Sequence, residues 1–153
     1  MTSSGFTIHP ECCEVFNQFK SNCNKPTHDF LVMKPDKDKV VLDLCPPLGE
    51  SATLEKYKNR ENPAYDRMVD YLVEHKCRYA FYIFDVNTAD GRRTKVVFFT
   101  YADDNAKAQE KMIMTTSKTA VEKGCPGFAV KIQANDRDDL SYKTVLEAVL
   151  TSK

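Results

Sequence analysis

The side chains able to do covalent or metal chemistry in this chain are six cysteines and three histidines. The cysteines are Cys12, Cys13, Cys23, Cys45, Cys77 and Cys125, and the histidines are His9, His28 and His75. Zinc sites are recognised by ligand spacing, and no C-x-x-C pair occurs here. A nucleophilic cysteine needs a base within reach and a third group to orient that base. His75 lies two residues before Cys77, a spacing that sets them side by side near a strand start, but no third residue stands out. The chain has only five glycines, with neither a G-x-G-x-x-G nor a Walker pattern. These gaps argue against catalysis and against a metal or any other cofactor. An even cysteine count invites disulfides. However, residues 1–10 have neither the basic start nor the apolar run of a signal peptide, so the expected compartment is the reducing cytoplasm and the thiols are expected free.

The remaining chemistry is recognition, and one segment carries a signal for it. Asp103 or Asp104 is suited to cap a long helix that runs to about residue 123, where Gly124 and Pro126 stop it. On a wheel of about 100° per residue, Ala106, Ile113, Met114, Ala120 and Val121 fall within one arc that should pack on a sheet. Met112 falls outside that arc, beside Gln109 and Thr116. A single exposed methionine is common and carries no meaning alone. It also suits a helix-in-groove contact, because its unbranched chain adapts to a partner's cleft.

The elements that position this helix follow from apolar spacing. Residues 10–20 read as a short amphipathic helix, with Cys12, Val15, Phe16 and Phe19 at helical spacing and Pro10 in the first turn. Residues 29–33 and 39–44 read as a hairpin around the polar turn 35–38. Residues 45–62 are irregular, with room for one local turn of helix. Pro63 opens a second helix over 63–74. Residues 78–86 and 94–101 are rich in aromatic and β-branched side chains, and their lack of alternation predicts strands covered on both faces. Asp90-Gly91 is the hairpin signal between them. Residues 127–133 form a last strand and 138–150 a last helix. Hairpins interleaved with helices give an α/β (α+β) arrangement, a mixed sheet with helices on both faces.

Length and composition agree with this. A chain of 153 residues, 42% apolar and 29% charged, is read as one soluble globular domain over 1–153, expected to be a monomer. Lys+Arg and Asp+Glu both number 22, so bulk charge gives no reason to expect nucleic acid or an acidic membrane. No apolar run approaches bilayer-spanning length.

Several segments carry a family resemblance. Lys76-Cys-Arg-Tyr-Ala-Phe-Tyr-Ile-Phe-Asp85 is similar to the Cys-x-Tyr-Ala-x-Tyr-Asp-Phe strand of the actin-depolymerising factor/cofilin family. Thr94-Lys-Val-Val-Phe-Phe-Thr-Tyr101 resembles its next strand. Lys111-Met-Ile-Met-Thr-Thr-Ser-Lys118 resembles its Lys-Met-x-Tyr-Ala-Ser-Ser-Lys helix, Ile132-Gln-Ala-Asn-Asp136 its strand exit, and Ser4-Gly5 its opening. The matches occur in order and span nearly the whole chain. The resemblance implies a central mixed, mostly antiparallel sheet of about five strands sandwiched between helices. It implies a cytoplasmic, cytoskeletal protein, with the nucleus as a further destination, that binds actin monomers (G-actin) and filaments (F-actin) and promotes depolymerisation and severing. By that resemblance the monomer site comprises Ser4, Gly5, Gln109, Lys111 and Met112, and the filament site Arg93, Lys95 and Glu147. Ser4 would carry an inhibitory phosphate, and Lys111, Lys118 and Lys123 would meet phosphoinositide head groups in a patch that Glu122 interrupts. Four departures stand out. Gln109 and Ala148 occupy positions where the family usually has a basic residue, and Met114-Thr115 replaces Tyr-Ala. The basic nuclear-import run of vertebrate members is absent. Losing rim cations weakens steering more than docking, so monomer binding is expected to persist and filament binding or severing to be weaker. A module that only sequesters monomers or only decorates filaments is the nearest alternative.

Overall fold

In the computed structural model, residues 7–21, 27–89 and 91–151 are described. The elements are β1 (Thr7–Ile8), α1 (Pro10–Ser21), β2 (Leu31–Asp36), β3 (Lys39–Leu44), α2 (Glu50–Thr53), α3 (Pro63–His75), β4 (Cys77–Thr88), β5 (Gly91–Ala102), α4 (Ala108–Gly124), β6 (Val130–Ala134), a 3-10 turn (Asp138–Leu140) and α5 (Tyr142–Thr151). Among the described residues one sheet of six strands runs β1-β3-β2-β4-β5-β6. The β1–β3 and β5–β6 pairs are parallel and the others antiparallel. The sixth strand, beyond the five expected, is the two-residue β1 at the edge.

The centre is the β4–β5 ribbon, paired without a break from Cys77↔Ala102 to Thr88↔Gly91. Side chains alternate across a strand, and here both sets are apolar. Ala80, Phe84, Val86, Val97, Phe99 and Tyr101 join a core with α3 and α5. Tyr79, Phe81, Val96 and Phe98 join a second core with α1 and α4. Both faces are covered, as the lack of alternation predicts. Tyr65 centres the first core: its ring meets Tyr82, Phe84, Phe99 and Tyr142 within 6.2 Å, and its hydroxyl donates to the Leu140 carbonyl at 2.6 Å. Aromatic pairs of this kind add ~0.5–1.5 kcal/mol beyond burial.

The structure corrects four boundaries. The β2–β3 turn is two residues, Lys37-Asp38, because Pro35 and Asp36 pair with Val40 and Lys39. Proline is tolerated there since β2 pairs with β4 only over Leu31–Met33, leaving its nitrogen side unclaimed by the ladder. Asp29 belongs to no strand. Its carboxylate accepts from the Gly49 and Ser51 backbone N–H groups at 2.7 and 2.9 Å, fixing the start of α2. The long helix begins at Ala108 rather than after Asp103, because Asp103 closes a preceding turn. Its carboxylate accepts from the Asn105 N–H and the Tyr101 hydroxyl, each at 2.8 Å. The last helix is divided at Ser141, whose extended ψ of 129° separates the 3-10 turn from α5.

Two contacts tie the periphery to this frame. Gly124 ends α4 without a left-handed backbone. A Cβ there would lie 2.5 Å from Ile8 Cγ2, so the glycine lets β1 sit against the helix. Asp70 on α3 accepts from the Tyr57 hydroxyl and Arg137 and pairs with Lys56, joining the irregular segment to the turn after β6.

Gly124→Ala should destabilise the protein by about 1–2 kcal/mol, because overpacking here outweighs the helix-propensity gain. Urea unfolding measures that loss. Amide exchange should also accelerate at Thr7 and His9, whose N–H groups donate to Asp38 and Val40. Burial pushes the Asp70 carboxyl up, but Tyr57, Arg137 and Lys56 outweigh it and hold the group below the usual carboxylate range. A depressed carboxylate contributes stability above its unfolded value and loses it as pH falls through the folded one. Asp70→Asn should therefore be less stable at pH 7 and show a shallower further decline below about pH 4 in pH-dependent thermal melts.

Candidate functional site

The helix α4 rests on the sheet through Met114, Ser117, Ala120 and Val121. Ser117 is the member of this face that apolar periodicity misses. It is fully buried, and its hydroxyl lies 2.6 Å from that of Tyr79 on β4, which also donates to the Met114 carbonyl. Three successive hydroxyls, of Thr115, Thr116 and Ser117, donate to the carbonyls of Lys111, Met112 and Ile113, four residues back. These three side chains thus spend their donors on the helix itself.

The opposite face carries Met112, which is 68% exposed, as the wheel predicts. Gln109 is exposed beside it. Lys111 is half-buried, and its ammonium donates to the Asp104 carbonyl at 2.8 Å, so the cation is held against the turn that precedes the helix. Ser4 and Gly5 lie outside the described residues. The nearest described segment, β1, is held at the other end of α4 by Ile8 against Gly124.

Arg93 and Lys95 stand two apart on β5 and so share a face, the one that α5 covers. The Lys95 ammonium donates to the Val149 carbonyl at 3.2 Å, near the C-terminal end of α5, where a cation is favoured. This brings Lys95 to the helix that carries Glu147, which is exposed. Ala148 is half-buried and lines a cleft of about 430 Å³ between β6 and α5 with Ile132, Thr144 and Val145. The sequence reading misses the structural duty of Lys95, and also the Arg92–Asp85 pair in the same hairpin. There the guanidinium donates to both carboxylate oxygens, a diagonal cross-strand arrangement, and this hydrogen bonding holds the Asp85 carboxyl below its ordinary range.

The three lysines proposed for head groups do not converge. Lys111 and Lys118 fall on one line of α4, while Lys123 falls on the line of Met112, and the set spreads over about 18 Å of helix. Glu122 is engaged by Lys131 of β6 at 3.5 Å.

Burial raises the Cys77 thiol, with Glu110 adding to the effect, which is opposite to the activation a nucleophile needs. The His75 ring stacks on Tyr71 with centroids 4.0 Å apart, and its Nδ1 lies 2.9 Å from the Tyr71 carbonyl oxygen. Among the described residues no group of three or more His, Cys, Asp or Glu could hold a metal ion, and no helix is long and apolar enough to cross a membrane.

Against known proteins, residues 5–150 match the family model described as cofilin/tropomyosin-type actin-binding protein. The chain is 38% identical to the cofilin of Saccharomyces cerevisiae over 151 residues, covering 97% of this chain and 95% of that one. It is 34% identical to the cofilin of Gibberella zeae over 153 residues, covering 97% and 96%. In fold it is similar to the crystal structure of Streptomyces griseoflavus cofilin, with a TM-score of 0.77, 23% identity and coverage of 97% and 99%. It is also similar to Plasmodium berghei actin depolymerization factor 2, with a TM-score of 0.76, 20% identity and coverage of 99% and 100%. The structural likenesses speak for the mixed sheet between helices, and the sequence matches for descent: this chain belongs to the cofilin/tropomyosin-type family of actin-binding proteins.

Proposed function

We propose that this protein binds actin monomers and filaments through two separate surfaces and promotes filament depolymerisation and severing at the cytoplasmic actin cytoskeleton. The observation that carries this reading is geometric. The face of α4 with Gln109, Lys111 and Met112 lies on one side of the sheet, and the Arg93–Lys95–α5 corner with Glu147 covers the other. A protein that touches two subunits of a filament at once needs binding surfaces that point in different directions. One surface alone suffices for a monomer. On this reading Met112 enters a groove on actin, Lys111 supplies a positioned cation at its rim, and Ser4-Gly5 extends the contact. A phosphate on Ser4 adds about −1.5 to −2 charges and opposes that contact. Phosphoinositide head groups meet Lys111, Lys118 and Lys123 singly along the helix, a diffuse contact of modest affinity.

A ligand shifts a conformational equilibrium only by its preference between states. Severing therefore requires that binding favour a filament state with altered twist. Gln109 and Ala148 remove two cations from the rims of the two surfaces; losing rim cations weakens steering more than docking, so on this reading monomer binding persists and filament activity is weaker.

Titration against labelled actin monomers and preformed filaments, with filament imaging, tests the reading. Lys111→Ala/Met112→Ala should weaken monomer binding about 10–100-fold while the unfolding midpoint stays near that of the parent. Arg93→Ala/Glu147→Ala should lower filament co-sedimentation and spare monomer binding. Unchanged affinity in the first variant would remove α4 from the contact. Gln109→Lys should raise filament co-sedimentation several-fold at low salt, with the gain shrinking as salt is added. No gain would show that the missing cation is not what limits filament binding.

A further inference from the structure

Four of the cysteines gather where α1, β3 and the end of α4 meet. Cys12 and Cys125 are fully buried in the same core, with Cys45 packed against it. The two cysteines of α1 point differently. Cys12 Sγ lies 3.5 Å from the Val40 carbonyl and faces β3. Cys13 is half-buried and faces α4, with its Sγ 3.2 Å from the place a Cβ on Gly124 would occupy. The next residue is Cys125, whose Cα lies about 3.8 Å from that of Gly124. Gly124 and Cys125 extend the buried face of α4, seven residues beyond Ser117 and four beyond Val121. Cys125 therefore looks back toward α1 and not out to solvent.

We propose that Cys13 and Cys125 form an oxidant-dependent disulfide that staples α1 to the end of α4, beside the Ile8–Gly124 contact that holds β1. Peroxide is the oxidant. The Cys13 thiol gives up its proton, its sulfur takes one peroxide oxygen to become a sulfenic acid as the O–O bond breaks, and the hydroxide released combines with that proton as one water. The Cys125 sulfur then attacks that sulfur, the S–S bond forms, the S–O bond breaks, and the departing hydroxide leaves as a second water with the Cys125 proton. Two thiols lose two protons and two electrons, and one peroxide becomes two waters. Cys13, at the surface, is the sulfur that meets the oxidant first. Burial pushes the Cys12 thiol up to about 12 and the Cys125 thiol up as well. Cys12 is thus protected from direct oxidation, and closure by Cys125 is the slow step. A transient bond of this kind is the form that disulfides take in reducing compartments. The proposal does not depend on what α4 binds.

The full chain is treated with hydrogen peroxide, quenched with iodoacetamide, digested without reduction and mapped by mass spectrometry. Cys13 should be recovered linked to the Cys125 peptide. The link should persist in Cys12→Ser, which separates the two neighbours, and vanish in Cys13→Ser and in Cys125→Ala. Because the bond closes a long loop, the oxidised protein should melt roughly 5–10 °C higher, reversed by dithiothreitol. The melting shift is compared only between oxidised and reduced samples of one sequence, so a destabilised variant does not confuse it. Recovery of Cys13 alkylated, as sulfinic or sulfonic acid, or linked to any cysteine but Cys125 would overturn the proposal.

Discussion

The β4–β5 ribbon is apolar on both faces, and that one condition organises the molecule. A two-stranded ribbon is marginal alone in water, and one with Phe81 and Phe98 on one side and Phe84 and Phe99 on the other would present two hydrophobic surfaces. Each buried aromatic of this size contributes about 1.5–3 kcal/mol when removed from water. Both faces must be covered, and the chain has helices enough on each side: α1 and α4 on one, α3 and α5 on the other. The positions of the candidate binding surfaces follow from this layering. A helix laid on a sheet has an outer face, and the outer faces of α4 and α5 point away from each other because the sheet lies between them.

The packing of α4 also explains why its outer face is defined rather than merely exposed. Tyr79 reaches from β4 to the Met114 carbonyl, and Ser117 meets the same hydroxyl. A buried phenol with such partners is both satisfied and directional, so it fixes the rotation of the helix about its own axis. Rotation decides which residue faces water. With Met114 and Ser117 turned inward, Met112 is turned out, and Lys111 falls at the flank where the Asp104 carbonyl can hold its ammonium. The candidate contact surface is thus set by residues that never reach the solvent.

Much of this was legible in the sequence wherever apolar spacing carries the information. The run from Cys12 to Phe19 gave α1, the unbroken aromatic stretches gave β4 and β5, and the wheel gave the exposure of Met112. What stayed hidden depends on partners distant in the chain. Asp103 has the chemistry of a helix cap, but Tyr101 and Asn105 claim its carboxylate. Asp29 resembles a strand residue until Gly49 and Ser51, some twenty positions on, donate to it. Ser117 is polar by type and buried by virtue of Tyr79. Gly124 reads as a helix stop and does end α4, but that Ile8, from the start of the chain, fills the space of its absent side chain is not legible from its type. In the site, the opening Ser4-Gly5 rests on resemblance alone, whereas Met112 was reached from residue spacing as well.

The two surfaces differ in how cleanly function can be separated from stability. Met112 projects from a helix whose other side holds it in place, so its side chain is dispensable to the fold. Lys95 is not: its ammonium closes on the Val149 carbonyl at the end of α5, and removing it takes a favourable cation from a helix C-terminus as well as a charge from the surface. A loss of filament binding on changing Lys95 would therefore carry a contribution from a loosened α5, whatever the residue does at an interface. Arg93 and Glu147 flank the same corner from exposed positions. If the corner binds a filament subunit, the effect must appear at Glu147 too, without a change in the melting of α5. If it appears at Lys95 alone, the corner is a clasp for the last helix and the filament contact lies elsewhere.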